Sequence, residues 1–127
     1  MSYCYDVHHL ITQMLKGQKP LEEELEFISS EISIEEFENA LHLIVSLRNE
    51  ETIEGLIDCA GFDTETFCET FAISSHTLER WKNEGPTDFE LDALIFYIVH
   101  QEIEVDRYLK KSYEAYLSAI TTTEEDT

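Results

Sequence analysis

The chain has 127 residues, of which 43% are hydrophobic and 11% aromatic, with 28 acidic and 8 basic side chains and a net charge of −20. That length and apolar content are enough for a buried core and exclude a wholly disordered acidic chain. No run of 18 apolar residues and no basic, apolar leader occurs, so the expectation is a cytoplasmic protein with no membrane partner.

Apolar residues recur at intervals of three and four along nearly the whole chain, and no alternating run is bounded by turn residues. This pattern predicts an all-α fold. Val7, Leu10, Ile11, Met14 and Leu15 form a first stripe, stopped by Gly17. Pro20 opens a second helix near residues 20–30, where Glu22, Glu23, Glu24 and Glu26 complement the helix dipole. Ser33 and Glu36 have capping-box spacing, and Ile34, Phe37, Leu41, Ile44 and Val45 carry a third helix to about Arg48. Residues 1–50 thus read as an acidic N-terminal helical arm.

Residues 51–118 read as a five-helix bundle. Thr52 caps a short helix ended by Gly61, Asp63 caps one carrying Phe67, Cys68 and Phe71, and Ser74 caps one carrying Leu78 and Trp81. Thr87 and Glu90 form a second capping box before a helix over Phe89–Val99. Ala93–Val99 is apolar or aromatic throughout, which predicts a central helix buried on every side. A fifth helix through Ile103, Tyr108, Leu109, Tyr113 and Tyr116 either continues this one or bends away near His100. The tyrosines, with Leu109 and Ile120, either seal the bundle or form a self-complementary homodimer surface. Residues 119–127 read as a disordered acidic tail.

The cysteines Cys4, Cys59 and Cys68 show no paired spacing, which favours a reducing compartment over a disulfide framework. Cys59, Cys68 and Trp81 are expected in the core. Cys4, His8 and His9 lack a Cys-x-x-Cys or His-x-x-x-His element, so no metal is expected. With no phosphate loop and no nucleophile beside a base, neither enzymatic activity nor a cofactor is expected.

The segment Phe67-Cys68-Glu69-Thr70-Phe71-Ala72-Ile73-Ser74-Ser75-His76-Thr77-Leu78-Glu79-Arg80-Trp81 has small and apolar residues at the offsets that lock two crossing helices. It resembles the helix-turn-helix of Cro/C1-type (XRE-like) phage and bacterial repressors. Phe67 and Cys68 fall at that family's Leu-Ala, Ile73 and Leu78 at its buried aliphatics, and Ala72 departs from its turn glycine. The resemblance extends over about residues 51–118, with motif-level similarity in the middle third. It implies that Ser75, His76 and Arg80 read bases, with Thr64 near a phosphate, and that duplex DNA is the partner.

Charge opposes that implication. Where such repressors carry a basic loop, this chain has Asn83-Glu84-Gly85-Pro86-Thr87-Asp88-Phe89-Glu90, and residues 51–100 hold 11 acidic and 2 basic side chains. Phosphate contacts supply most of the affinity for DNA. The favoured expectation is therefore a DNA mimic, in which Glu22, Glu23, Glu24, Glu26, Glu84, Asp88 and Glu90 occupy the groove of a basic nucleic-acid-binding protein. In size, charge and helix content the chain is similar to small acidic proteins of phages and mobile elements that inhibit restriction or CRISPR machinery, which implies a bacterial host cell. The alternative is a helix-turn-helix transcriptional regulator that binds operator DNA through Ser75, His76 and Arg80. Solvation alone is the third account of the charge.

Overall fold

The computed structural model describes residues 2–125, with side chains described through Thr121. Among these residues the chain forms seven helices and no strand: α1 (Tyr5–Leu15), α2 (Glu22–Glu31), α3 (Ile34–Arg48), α4 (Ile53–Cys59), α5 (Thr64–Phe71), α6 (Ser75–Glu84) and α7 (Asp88–Glu125). The all-α class agrees with the sequence, but four helices follow residue 50 instead of five. Of the two alternatives for the last helix, the structure has the first: it continues the helix through residues 89–99 without a bend into a separate element, because neither glycine nor proline interrupts the chain after Pro86. For the same reason α7 continues through Glu125, across most of the stretch 119–127 expected as an unstructured tail. Residues 126 and 127 lie outside the described residues.

Helix starts follow local chemistry. On α3 the Glu36 N–H donates to Ser33 Oγ at 3.1 Å and the Ser33 N–H donates to Glu36 Oε1 at 2.9 Å, closing the capping box. The side chains of Thr52, Asp63 and Ser74 accept from the N–H groups of Gly55, Thr66 and Thr77, satisfying donors that a helix leaves unpaired. Pro20 precedes α2 by two residues, and Glu24 accepts the Leu21 N–H at 2.8 Å.

One core joins all seven helices. It includes Val7 and Ile11 of α1, Ile28 of α2, Ala40, Ile44 and Leu47 of α3, Leu56 of α4, Phe67 of α5, Trp81 of α6, and Ile95 and Val99 of α7. The run Ala93–Val99 is not buried on every side: Leu94, Ile95, Ile98 and Val99 are buried, whereas Tyr97 is 57% exposed. Helix α7 packs along α3 and so turns one stripe inward while leaving another to water. Cys68 is half-buried against the core, but Cys59, at the end of the short α4, is exposed rather than packed inside.

Ala72, between α5 and α6, has φ 54° and ψ 44°, a left-handed conformation that suits glycine. The turn closes when the Ile73 N–H donates to the Cys68 carbonyl at 2.9 Å. A non-glycine residue in this region costs roughly 1 kcal/mol. Ala72→Gly is therefore expected to raise stability by about 0.5–1 kcal/mol in urea titration. A midpoint that stays or falls would show that the added unfolded-chain entropy cancels the relieved strain.

Two polar ties fix α7 to the N-terminal helices. Arg107 grips the carboxylate of Glu36 through Nε and Nη2, the latter at 2.9 Å, and Nη2 also donates to the Glu31 carbonyl at 3.1 Å. Glu36 is buried, and the Arg107 hydrogen bonds hold its carboxyl below the usual carboxylate range. The second tie is centred on His8, which is fully buried. Burial and the neighbouring Asp92 keep the Tyr3 phenol protonated, so it donates to His8 Nδ1 at 2.6 Å. The neutral imidazole then carries its proton on Nε2 and donates to Asp92 Oδ1 at 3.2 Å. Asp92 accepts further from Arg48 at 2.8 Å and from Tyr5 at 3.1 Å.

Burial lowers the His8 pKa from its ordinary 6.5, and this outweighs the opposing attraction of Asp92. The folded chain thus resists a proton that the unfolded chain accepts. Stability from this site is fully present above about pH 6.5 and is lost progressively as pH falls below it. His8→Asn is expected to be less stable than the parent at pH 8, with a smaller further loss between pH 6.5 and 5. Parallel losses in both proteins would remove His8 as the source.

Candidate functional site

Helices α5 and α6 are joined by residues 72–74, with Ser74 as the cap of α6. The sequence segment quoted for its repressor resemblance thus forms two helices and a short turn. Trp81 and Leu78 anchor α6 in the core, while Ser75 and His76 are exposed in its first turn and Thr64 is exposed at the start of α5.

Arg80 stands apart from the other three residues. Its Nη1 donates to Glu90 Oε1 at 3.1 Å and its Nη2 to Glu90 Oε2, a two-pronged ion pair from α6 to the start of α7. Glu90 also accepts from Trp81 Nε1 at 3.2 Å and from the Thr87 N–H at 3.1 Å, while its own N–H donates to Thr87 Oγ1 at 3.2 Å. These donors, Arg80 first, draw the Glu90 pKa down to about 2. Arg80 is held correspondingly above its ordinary value. The structure therefore spends both the strongest proposed base reader and one proposed mimic carboxylate on a single internal contact. To reach guanine, Arg80 would first have to leave a fork geometry that already matches its guanidinium.

The remaining acidic residues divide in the same way. Glu24 is half-buried and serves as the α2 cap, whereas Glu22, Glu23 and Glu26 are exposed. Glu84 and Asp88 are exposed on either side of Gly85 and Pro86, and Glu79 is exposed on α6 itself. Glu65 and Glu69 lie one turn apart and exposed on α5. The surface around α5 and α6 thus sets five exposed carboxylates, Glu65, Glu69, Glu79, Glu84 and Asp88, against one exposed cation, Lys82, where a DNA-reading surface needs cations.

The other chemistry-bearing side chains among the described residues are placed as follows. His8 is enclosed, with Tyr3 on one ring nitrogen and the partly exposed Asp92 on the other. A cleft of about 470 Å³ between α3, α4 and α7 contains His42, Cys59, Glu102 and Asp106. Although Cys59 is exposed, partial desolvation by the cleft wall, followed by the negative charges of Glu50 and Asp58, pushes its thiol pKa up, the opposite of what an activated nucleophile needs. No group of three or more metal-ligating side chains converges among the described residues. No helix among them is long and apolar enough to cross a membrane. Comparison with protein families, with curated proteins and with solved structures finds no match to this chain.

Proposed function

We propose that this protein is an acidic antagonist that occupies the basic groove of a nucleic-acid-binding protein, in the manner of anti-restriction or anti-CRISPR inhibitors. The observation that carries this reading is the Arg80–Glu90 ion pair, which leaves Arg80 partly exposed but engages its charge with a carboxylate, while Glu65, Glu69, Glu79, Glu84 and Asp88 face solvent around it. A repressor needs cations to pull in phosphates, and a mimic needs carboxylates at a spacing a basic groove accepts. On α2, Glu22 and Glu26 are separated by about one helical turn, roughly 6 Å, which sets both exposed carboxylates on one face of the helix.

The experiment is competition. A labelled duplex is bound to each of a panel of restriction and RNA-guided nucleases, and the protein is titrated in. The expected result is displacement from at least one of them at near-stoichiometric ratio in low salt, lost as salt rises. Direct duplex binding is measured alongside. Exposed Ser75 and His76 on the first turn of α6 support a second reading, a regulator of operator DNA. Selection of one duplex sequence, lost in His76→Ala, together with no displacement from any nuclease, would put that reading in place of the first.

A further inference from the structure

The far end of α7 projects beyond the core, whose last member on this helix is Ile103. Val105, Tyr108, Leu109, Tyr113, Tyr116 and Leu117 are exposed there, the three tyrosines at 70, 63 and 62%. These side chains do not seal the bundle. At about 100° per residue Val105, Leu109, Tyr113, Tyr116 and Ile120 fall on one face, with Tyr108 and Leu117 on its margins. Arg107, Lys111 and Glu114 fall on the opposite face. A helix of this length without tertiary cover is marginal in water, and an apolar stripe on it gains stability from a partner.

We propose that the partner is a second copy of this chain, paired antiparallel with the first over residues 105–121. Charge selects that occupant. This stretch holds three basic and two acidic residues, a net +1 in a chain of −20, so two molecules whose acidic bodies repel each other can approach along it. A basic partner drawn to the carboxylates finds no attraction at this face.

Area and shape agree with charge. Three tyrosines and four aliphatic side chains offer roughly 600–800 Å² per copy, close to the 800 Å² or so that each partner gives to a standard interface. A two-fold axis between Ser112 and Tyr113 sets Val105 against Ile120 of the second copy, Tyr108 against Leu117, Leu109 against Tyr116, and Ser112 against Tyr113. Each large side chain then meets an apolar or small one, as a self-complementary contact requires. The antiparallel sense also places the two acidic bodies on opposite sides of the axis. A parallel pair would bring them together.

The full chain, analysed by sedimentation equilibrium at micromolar concentration, is expected to be a dimer. Leu109→Lys/Tyr116→Lys should raise the dissociation constant by at least about 100-fold while the core still unfolds cooperatively in urea, because both positions face solvent in the single chain; any loss of helical circular dichroism should be confined to the extension of α7. Phe89→Lys, 80% exposed at the other end of α7, should remain dimeric. Direction is read by mixing Val105→Cys chains with Ile120→Cys chains in a background lacking the exposed Cys59. Mixed disulfides are the expected product. A monomer at every concentration, a dimer that survives Leu109→Lys/Tyr116→Lys, or like-with-like disulfides would each overturn the proposal.

Discussion

Replacing Arg107 by Met is expected to destabilise the chain by about 3 kcal/mol, more than replacing its partner. The asymmetry follows from where each charge is left. Without Arg107 the carboxylate of Glu36, a residue 8% exposed, is left with Ser33 and no cation among the contacts described; without Glu36 the guanidinium still reaches water, the Glu31 carbonyl and Glu104. Glu36→Gln retains an acceptor for the capping box and should cost about 1–2 kcal/mol. The double variant should be more stable than Arg107→Met alone, because it no longer buries an unpaired charge. The pH dependence has a definite sign. The folded-state pKa of Glu36 is depressed, so its contribution is present above its ordinary 4.5 and is lost as pH falls through the folded value. In Arg107→Met that contribution is gone, so the gap between parent and variant should narrow toward low pH. Urea titrations at pH 7 and pH 4 test both statements, and equal costs for the two single variants would mean that Glu36 is not buried as described.

What could be read from the residues was local. Caps at Ser33, Thr52, Asp63, Ser74 and Thr87 were legible because a cap needs only a side-chain oxygen and a donor three residues on. The helical class was legible because the three-and-four periodicity repeats in every segment. The failures come from contacts that periodicity does not encode. Nothing local marks Glu90 as the partner of Arg80, since its capping role with Thr87 already accounts for it; the second use appears only when the turn at Gly85 and Pro86 brings the first turn of α7 against Arg80 and Trp81. Glu36 was similarly legible as a cap and not as the partner of Arg107, 71 residues away. His8, Asp92 and Arg48 come from three helices, and the fully apolar run Ala93–Val99 hid the fact that Tyr97 points to water. The length of α7 was readable from the absence of glycine and proline after Pro86, a signal that the polar composition of its end obscured.

Reversing Glu22, Glu23 and Glu26 to Lys, and separately Glu84 and Asp88, is expected to separate recognition from solvation. The structure sets the choice of residues: Glu24 caps α2 and Glu90 holds Arg80, so changing either would damage the fold and confuse the result. The two sets change net charge by +6 and +4 on different helices. Charge that serves only solubility is interchangeable, and both sets would then alter binding to a basic partner slightly and in proportion to charge. Charge that docks in a groove is local. One set should then weaken binding by about 100-fold or more while the other has little effect, with the association rate carrying much of the loss at low salt. Added salt should weaken the unaltered protein toward the same value, because it screens the same attraction. A small, proportionate loss from both sets, with salt dependence unchanged in each, would remove mimicry as the reason for the acidic surface and leave Ser75 and His76 on α6 as the residues through which the protein acts.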